Sequence, residues 1–434
     1  MKTINVVELF AGVGGFRLGL ERYNKNLWNF IFANQWEPNK KVQHAFNCYV
    51  NNFGPENVNN EDIAIAKEKI PNNVDLLVGG FPCQDYSVAA TKAKGIEGKK
   101  GVLWWEISWI LKHKKPKMVL LENVDRLLKS PSAKRGRDFA IMLFNLNKLG
   151  YDVEWQVINA ADYGMPQRRK RVFIFAKLRE CFETAVMFDD EQTLEEINES
   201  SVFSTVFPVV EKSSTKVKQM EFSSQFDDEL DITENYNGGK FLTKGFLING
   251  DLLEYEIEVD PNFNPERLCL RDILQNPDEI EEKFYLNQEQ LKKMKELRSA
   301  KKRERFKPNG EPYYYSEGRM NLLDNLDRPG RTMLTSESSL NRSTHLIQTL
   351  DKNGRNRRRF ITPIEAERLN CFDDDWTVSI TSEKMRYFCM GNALVVDIIQ
   401  NLADQIERVY DELIVNLKIN QNNIKTCDLE EYDV

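Results

Sequence analysis

Short apolar runs alternate with longer amphipathic stretches along the first 180 residues of the chain. The apolar runs have the length of buried strands, and they read INVVELF, NFIFANQW, VDLLVGG, KMVLLENV and RVFIFAKL. The stretches between them have helical spacing, as in GFRLGLERY, EISWILKHKK and RDFAIMLFNLNKLG. This alternation predicts an α/β fold with a parallel, doubly wound sheet that binds ligands at the carboxyl ends of its strands.

The pattern changes after about residue 180. Residues 181–355 are richer in Asn, Ser, Asp and Glu, and they contain turn signals such as NYNGGK and DPNFNPE. A helical pattern returns in MRYFCMGNALVVDIIQNLADQIERVYDEL, which predicts a long amphipathic helix with a Gly-Asn entry. We therefore expect one domain formed by residues 1–185 and 388–434, and an inserted, smaller α+β domain with its hinge at 186–387.

Composition narrows the class of protein. Hydrophobic residues make up 41% of the 434 positions and charged residues 29%, which are ordinary values for a globular protein. No segment approaches the roughly 20 apolar residues of a membrane span and no secretory signal opens the chain, so we expect a cytoplasmic protein without a membrane partner. Seven scattered cysteines without C-x-x-C spacing and only three histidines predict neither a disulfide framework nor a metal site.

The formal net charge of −7 argues weakly against a polyanionic partner, but the charges are unevenly placed. Basic residues concentrate in the runs KSPSAKRGR, QRRKR, KKRERFK and GRNRRRF. A solvated surface would explain any one of them. Four such runs, two of them close to candidate site residues, favour a nucleic-acid partner.

Three successive strand ends carry groups suited to an adenosine-type cofactor. FAGVGG places Gly12 and Gly14 directly after the first apolar run, where either a structural turn or a cofactor loop would need them. Its spacing departs from G-x-G-x-x-G. Trp36 and Glu37 end the second run and could stack on a purine and hold a ribose, while Asp62 could accept from an exocyclic amine.

Cys83 and Glu122 each follow an apolar run, so both should lie at the carboxyl edge of the sheet. A thiol there can act as a nucleophile and a carboxyl as a proton donor; a buried structural thiol and an ion-paired carboxylate are the alternatives. Arg169 and Arg171 occupy alternate positions entering a strand, which predicts side chains on one face, converging on that edge. An ordinary basic strand entry would have the same pattern.

Taken in order, FAGVGG, GGFPCQ, ENV, QRRKR and MGNALVV resemble the signature blocks of the DNA cytosine-C5 methyltransferases. TPIEAERLNCF, before the last block, matches as well. The resemblance covers residues 4–177 and about 355–405. It implies a Rossmann-like, doubly wound domain that binds S-adenosylmethionine, and an inserted target-recognition domain.

The resemblance also implies which residues bind S-adenosylmethionine. By position they are Phe10, Gly12, Val13, Gly14, Trp36, Glu37, Asp62, Ile63, Gly80, Pro82, Leu103, Asn392 and Leu394. The chain departs from the family at one of these contacts. The family often has an acidic residue before the Trp, and this chain has Gln35, which leaves open whether Gln35 or Glu37 holds the ribose.

For catalysis, the resemblance implies that the Cys83 thiolate adds to C6 of a flipped-out cytosine in double-stranded DNA. Glu122 would hold N3 protonated, with Arg171 near the carbonyl oxygen and Arg169 aiding the site. Contacts to DNA would come from residues before and within the inserted domain, namely Gln84, Ser87, Thr332, Thr335, Asn341 and Arg342. Either Thr332 or Thr335 could supply the family's Thr-x-Leu element.

The implied enzyme is a monomer that acts on duplex DNA as the modification half of a restriction-modification system, with a separate restriction endonuclease. The closest alternative is a tRNA cytosine-C5 methyltransferase on the same scaffold, although its Cys-Phe-Thr block is not found here. A catalytically inactive nucleic-acid-binding protein is disfavoured because Cys83, Glu122 and Arg171 are all present. A nucleotide-dependent oxidoreductase is disfavoured by the missing dinucleotide fingerprint.

Overall fold

A computed structural model describes residues 2–81, 103–182, 194–213, 217–306 and 310–430, with side chains to residue 416 in the last segment. The chain divides into two compact units. The first comprises Met1–Asn159, Lys170–Pro265 and Val396–Val434, and the second comprises Ala160–Arg169 and Glu266–Val395. No helix in the described segments is long and apolar enough to cross a membrane.

A ten-stranded sheet organises the described part of the first unit. Its order is β3-β2-β1-β4-β5-β7-β6-β10-β11-β9. The strands are β1 Ile4–Leu9, β2 Trp28–Asn34, β3 Val58–Asn59, β4 Leu76–Gly80, β5 Met118–Val124, β6 Tyr151–Asn159, β7 Lys170–Leu178, β9 Lys218–Glu221, β10 Lys244–Ile248 and β11 Asp251–Tyr255. Two further short strands, β8 Val209–Glu211 and β12 Ile257–Val259, pair with each other.

Only half of this sheet is parallel. Strands β3, β2, β1, β4 and β5 are parallel as expected, but β7, β6, β10, β11 and β9 pair antiparallel. The sequence pattern therefore predicted the parallel, doubly wound part of the sheet and did not predict its antiparallel part. Ten residues, Ala160–Arg169, connect β6 to β7 without a crossover α-helix. A connection of this kind permits antiparallel pairing, whereas a parallel crossover usually needs a helix.

Helices flank the sheet. Those of the first unit are α1 Gly15–Asn24, α2 His44–Phe53, α3 Ile63–Ala66, α4 Leu103–Lys114, α5 Arg137–Lys148, α6 Leu194–Glu199, α7 Glu229–Asn235 and α11 Val396–Glu430. Helices α1 and α11 approach closely at Gly19, where an added Cβ would lie 2.7 Å from Cβ of Ile399. Because the last helix packs on the first, the end of the chain belongs to the same unit as its beginning.

Residues beyond 194 extend the first unit instead of opening the second. Lys244 is fully buried on β10, and its Nζ lies 2.8 Å from Glu154 Oε1 on β6 and 2.6 Å from Ser201 Oγ. Burial lowers the pKa of this lysine. Lys244 therefore links Ser201, in the segment after α6, to strand β6 of the main sheet. The compact units thus divide the chain differently from the sequence-based boundary at residue 186. The functional assignment of the two domains stays a prediction.

The second unit has the α+β character expected of the inserted region. Its elements are α8 Gln288–Arg298, β13 Lys301–Phe306, β14 Pro312–Glu317, β15 Leu346–Leu350, β16 Asn356–Phe360, α9 Pro363–Leu369 and α10 Glu383–Asn392. A buried bidentate ion pair, with both N···O distances at 2.7 Å, joins Arg359 of β16 to Glu365 of α9. Just after the predicted Gly-Asn entry, Ala393 is extended at φ −64° and ψ 151° and separates α10 from the long helix α11.

Candidate active site

The Gly-rich turn after β1 has a backbone that only certain residues tolerate. Gly12 and Gly14 have φ values of +58° and +88°, and Phe10 also has a positive φ of 54°. A Cβ at Gly14 would lie 2.3 Å from Cε2 of Phe53, so the turn is packed there. A Cβ at Gly12 would meet nothing within 4 Å, so that position lies beside open space that a ligand could enter.

The end of β2 holds this turn in place. Gly12 N donates to Gln35 Oε1 at 2.7 Å, and Ala11 N donates to the carbonyl oxygen of Asn34 at 3.0 Å. Gln35 therefore has a structural role beside the turn, which the sequence pattern did not indicate. Its amide still carries two N–H donors that are suited to ribose hydroxyl groups.

Trp36 and Glu37 follow Gln35 directly. Trp36 is 37% exposed, which is unusual for so large an apolar residue and leaves part of its surface available for stacking. Glu37 Oε2 accepts from Ala45 N at 3.1 Å, in the first turn of α2. This contact makes Glu37 a helix-capping carboxylate, so the side chains of both ribose candidates, Gln35 and Glu37, are engaged in intramolecular hydrogen bonds.

Asp62 lies at the next strand end. Its Oδ1 caps α3 by accepting from Ala64 N at 3.0 Å, and the adjacent Ile63 is buried. Val13 is likewise buried in the turn after β1. The cap orients the Asp62 carboxylate at the beginning of a helix, where the helix dipole favours an anionic group.

A buried carboxyl on β1 was missed in the sequence. Glu8 is fully buried, and its Oε2 accepts from the Tyr49 hydroxyl at 2.8 Å. Within the described segments its Oε1 has no hydrogen-bond partner. Burial raises the pKa of Glu8 to about 7, against the opposing effects of the Tyr49 hydrogen bond and the Arg17 guanidinium. A single carboxylate inside the apolar run INVVELF was the signal that could have found it.

Glu122 lies at the carboxyl end of β5, next to the strand that leads to Cys83. The register pairs Glu122 with Gly80 of β4 on one side and with Phe173 of β7 on the other. Arg171 Nε lies 2.8 Å from Glu122 Oε1, and both side chains are largely buried. A Cβ at Gly80 would lie 3.3 Å from Glu122 Oε2, so any larger residue would crowd this carboxylate.

Asn123, the middle residue of ENV, fixes the chain just before the cysteine. Its Nδ2 donates to the carbonyl oxygen of Phe81 at 2.8 Å, and its Oδ1 accepts from Val124 N at 2.8 Å. Sequence reasoning used Asn123 as part of a motif and assigned it no role. The predicted site residues Pro82, Cys83, Gln84 and Ser87 lie outside the described residues.

Arg169 and Arg171 have different partners. Arg169 is only 1% exposed, and its guanidinium donates to the carbonyl oxygens of Met333, at 3.2 Å, and Gly391, at 3.0 Å. These contacts lie within the second unit. Of the two arginines expected to converge on one edge, Arg171 forms an ion pair with Glu122 and Arg169 donates to main-chain carbonyls, so a catalytic role for Arg169 stays a prediction.

The other predicted cofactor residues lie at helix ends. Leu103 begins α4 and packs partly buried against the core of the first unit. Asn392 is the last residue of α10 and is exposed, and Leu394 is buried just beyond it in the second unit. The roles of these three residues in cofactor binding stay predictions.

The predicted DNA contacts in the second unit have mainly structural partners. Thr332 Oγ1 donates to the carbonyl oxygen of Arg168 at 2.5 Å, while Thr335 is half-buried with no such bond recorded among the described residues. Asn341 donates to Ser336 O at 2.9 Å and accepts from backbone amides, closing a turn. Arg342 donates to three main-chain carbonyls. These bonds favour holding roles for Asn341 and Arg342.

The sheet order, the Gly-rich turn after β1 and the charged pair at the end of β5 define a Rossmann-like α/β methyltransferase fold. The family model of C-5 cytosine-specific DNA methylases matches residues 4–408. The chain belongs to this family, and it is a DNA cytosine-5-methyltransferase.

Individual relatives agree with this assignment. The type II methyltransferase M.Sau3AI of Staphylococcus aureus is 48% identical over 415 residues, which cover 94% of this chain and 97% of that protein. M.NgoBI of Neisseria gonorrhoeae is 40% identical over 168 residues, or 39% of this chain and 49% of that one. The crystal structure of the S. pombe Dnmt2 methyltransferase is similar in fold, with a TM-score of 0.57 at 17% identity, over 94% of this chain and 99% of that one.

Proposed function

We propose that this enzyme transfers a methyl group from S-adenosylmethionine to C5 of cytosine, at one recognised sequence in double-stranded DNA, through a covalent bond between Cys83 and C6. The observation that carries the proposal is the Glu122–Arg171 pair, which lies beside Gly80 on the strand that leads to Cys83. That arrangement supplies an acidic group and a guanidinium at the edge where a base would have to meet the thiol.

The chain's residues fit S-adenosylmethionine at the ends of β1, β2 and β3. The open space beside Gly12 admits a ligand against the main chain, and the exposed Trp36 ring offers a surface for an adenine. Gln35 or Glu37 would hold the ribose, and Asp62 would accept from the exocyclic amine. Bound there, S-adenosylmethionine supplies an electrophilic methyl group on a sulfonium.

Cytosine C5 is a weak nucleophile, and the proposed covalent step changes this. The Cys83 thiolate adds to C6, the C5–C6 double bond opens, and the electron pair makes C5 nucleophilic. Glu122 holds a proton at N3 as negative charge develops on the ring, and Arg171 keeps Glu122 in position. After C5 takes the methyl group, loss of the C5 proton and elimination of the thiolate restore the aromatic ring.

Reaching C6 requires the base to leave the stack. Both C6 and the N3 edge are covered within a duplex, so the target cytosine would be flipped out at a cost of a few kcal/mol. Gln84 and Ser87 begin the segment after the cysteine that would close over the DNA, and Thr332 or Thr335 would meet the DNA from the second unit. The prediction for Asn341 and Arg342 is weakened by their intramolecular hydrogen bonds.

The biological setting is proposed from the relatives. M.Sau3AI carries the name of a type II methyltransferase, which supports a modification enzyme that accompanies a restriction endonuclease. Such an enzyme works as a monomer on duplex DNA in the bacterial cytoplasm, and its methyl mark protects the host sequence from the paired nuclease.

Transfer of labelled methyl groups tests the reaction. Purified enzyme, labelled S-adenosylmethionine and duplex DNA should yield label at C5 of cytosine, and bisulfite mapping of DNA from expressing cells should show one repeated sequence context. The rival reading is a tRNA cytosine-C5 methyltransferase. Label on tRNA with none on duplex DNA would establish that rival and reject the proposal.

A mechanism-based trap tests the covalent step. A duplex that contains 5-fluorocytosine at the mapped position should form a stable adduct with the wild-type enzyme, because fluorine cannot leave C5 as a proton does. Cys83→Ser should form none and should lose turnover. Cys181→Ser is the matched control, since burial raises the pKa of that thiol and it should be inert. Methylation without trapping would refute the thiolate mechanism.

A further inference from the structure

An exposed two-stranded ribbon projects from the second unit. Strands β13 Lys301–Phe306 and β14 Pro312–Glu317 pair antiparallel over six residues each, from Lys301 opposite Glu317 to Phe306 opposite Pro312. They form a sheet with no other strand of the described chain. Phe306 and Tyr314 are 66% and 64% exposed, so the ribbon buries little of its own apolar surface.

The two faces of the ribbon differ in chemistry. Because side chains alternate along a strand, the register places Arg303, Arg305, Tyr313 and Tyr315 on one face, together with Lys301 at the base. The Arg305 guanidinium lies 4.0 Å from the centroid of the Tyr315 ring. This basic-aromatic face therefore presents three cations, and Glu317, at its base, is its one carboxylate.

The opposite face is mixed and carries no net charge. It has the rings of Phe306, Tyr314 and Pro312 together with Lys302, Glu304 and Ser316, and Lys302 Nζ lies 4.5 Å from the centroid of the Tyr314 ring. Exposed aromatic rings of this size are costly to leave in water, and they are typical of surfaces that meet a partner. A two-stranded ribbon on its own is marginally stable. The exposed aromatic side chains therefore do not serve to stabilise the fold of the ribbon itself.

The base of the ribbon is held rigidly. Arg342 donates to the carbonyl oxygens of Leu297, at 3.2 Å, and Ser299, at 3.1 Å, just before β13, and to that of Gly318, just after β14. The nearly fully buried Arg298 similarly donates to main-chain carbonyls at Asn321 and Leu322. Arg342 therefore ties together the segments that enter and leave the ribbon at its base, and Arg298 holds the segment that follows, while the strands themselves are exposed.

Charge and size together indicate the partner. The chain as a whole carries a net charge of −7, yet this face is basic. Duplex DNA is a polyanion whose major groove, about 12 Å wide, admits a two-stranded ribbon. Six residues of strand span about 17 Å, the rise of roughly five base pairs. Arginines on such a ribbon can reach both phosphates and the acceptor edge of guanine.

We propose that the β13–β14 ribbon enters the major groove of double-stranded DNA beside the target base, with Arg303 and Arg305 in contact with the DNA and Arg342 clamping the ribbon's base. This inference rests on the proposed function, because it makes the ribbon a reader of the methylated sequence. It assigns Arg342 a positioning role in place of the direct DNA contact expected from the sequence.

Binding to duplex DNA over a range of salt concentrations tests the ribbon. Arg303→Ala/Arg305→Ala should bind the mapped target duplex about tenfold or more weakly near 0.1 M salt, with a log–log salt slope smaller by up to about two. Lys292→Ala/Lys293→Ala, two exposed lysines of α8 in the same unit, removes the same charge and should leave affinity and slope unchanged. Equal losses in both double variants would overturn the proposal.

A modified duplex tests the groove. Replacing guanine by 7-deazaguanine removes only the N7 acceptor of the major groove, so it should weaken the wild-type enzyme and have a smaller effect on Arg303→Ala/Arg305→Ala. Equal sensitivity of the two proteins would reject entry into the major groove. Light scattering of both proteins tests whether the ribbon binds a protein instead of DNA. A change in mass without a change in DNA affinity would make the ribbon a protein contact and refute the proposal.

The outcomes separate the ribbon from the proposed reaction. The wild-type enzyme in the same preparation is assayed for methyl transfer to duplex DNA. If it transfers no methyl group, the proposed function fails whatever the ribbon does. If the wild-type enzyme transfers methyl groups normally, and Arg303→Ala/Arg305→Ala has the same affinity for duplex DNA and the same sensitivity to 7-deazaguanine, only the ribbon proposal fails. Thermal unfolding of each variant confirms that exposed substitutions have left the fold intact.

Discussion

Arg171 Nε lies 2.8 Å from Glu122 Oε1, across the antiparallel pair of strands β5 and β7. Glu122 is opposite Phe173, so Arg171, two residues before Phe173, is its diagonal neighbour on the same face of the sheet. A slip of one residue in this register would send one of the two side chains to the other face. The pair therefore depends on the antiparallel register, which the sequence pattern did not predict.

The Glu122–Arg171 pair should matter for turnover more than for binding of the methyl donor. Glu122→Gln keeps the size of the side chain but cannot hold the proton at N3, so kcat should fall about 10²–10⁴-fold with the KM for S-adenosylmethionine unchanged. Arg171→Ala should lower kcat by a similar factor because it releases the carboxylate. Steady-state methyl transfer measures both variants.

Lys170→Ala is the matched control for that comparison. Lys170 precedes Arg171 on β7, is exposed, and contributes only its carbonyl oxygen to Arg171 Nη1. Its kcat should equal that of wild type. If Lys170→Ala lost as much activity as Arg171→Ala, loss of any nearby positive charge would explain both results. The role of the Glu122–Arg171 ion pair in turnover would then be rejected.

Asn123→Ala should separate positioning from stability. The substitution leaves the buried carbonyl oxygen of Phe81 without its donor, which should cost about 1–3 kcal/mol of unfolding free energy and slow adduct formation on the 5-fluorocytosine duplex. Asn145→Ala, whose amide in α5 donates to Glu229 Oε1, should lose stability without a change in trapping rate. Equal trapping rates for wild type and Asn123→Ala would contradict the positioning role.

Trp36→Ala should weaken S-adenosylmethionine binding about tenfold, because an exposed indole lost from a stacking contact is worth about 1.5 kcal/mol or slightly more. The melting temperature should hardly change, since the ring contributes little to the core. Calorimetry of the wild type, Trp36→Phe and Trp36→Ala should show graded binding. Val42 is another exposed apolar residue, and Val42→Ala should bind S-adenosylmethionine like wild type. An equal loss of affinity in Trp36→Ala and Val42→Ala would argue against stacking.

Glu8 should make stability depend on pH. Its pKa is about 7 in the folded protein and near 4.5 when exposed, so between these values the folded state holds one proton more than the unfolded state. The stabilisation is therefore complete below about pH 4.5 and is lost as pH rises through 7. The Tyr49 hydroxyl and the charges of Arg17 and Glu21 face this carboxyl and shape the midpoint.

Glu8→Gln should remove that dependence. The wild-type unfolding free energy, taken relative to the variant, should fall by about 2.5 kcal/mol between pH 5 and pH 8. Urea unfolding at several pH values measures the difference, in which contributions from other groups cancel. A difference that stays constant over this range would show that Glu8 ionises at its ordinary pKa.

Local patterns predicted several elements well. The runs INVVELF and KMVLLENV correspond to β1 and β5, and RDFAIMLFNLNKLG contains α5. Each of these elements is long, apolar and bounded by turn residues, so the pattern within the segment was enough to predict it. The Asn249-Gly250 turn of the β10–β11 hairpin has positive φ at both residues and was a readable signal in FLINGDLLEY that was passed over.

The long C-terminal helix begins at Val396, four residues after the predicted Gly-Asn entry, and a separate helix ends at that entry. A Cβ at Gly391 would lie 2.4 Å from Thr335 N, so the chain there packs against another segment of its own unit. Ala393 then turns away in an extended conformation before α11 begins. The Gly-Asn pair in MRYFCMGNALVVDII marked the entry of the long helix, but the pattern did not predict the separate helix α10 before it.

The sequence by itself determined the family and the chemistry to be expected, because the residues that identify them stand in short, ordered motifs that need no partner to be recognised. Tertiary structure decided how each side chain is used. Arg171 pairs with Glu122, Arg169 supports main-chain carbonyls, and Arg342 clamps a ribbon, although all three are arginines in basic or polar runs. The role of each arginine depends on contacts with residues far away in the chain. Only strand register and side-chain packing in the folded protein bring those residues together.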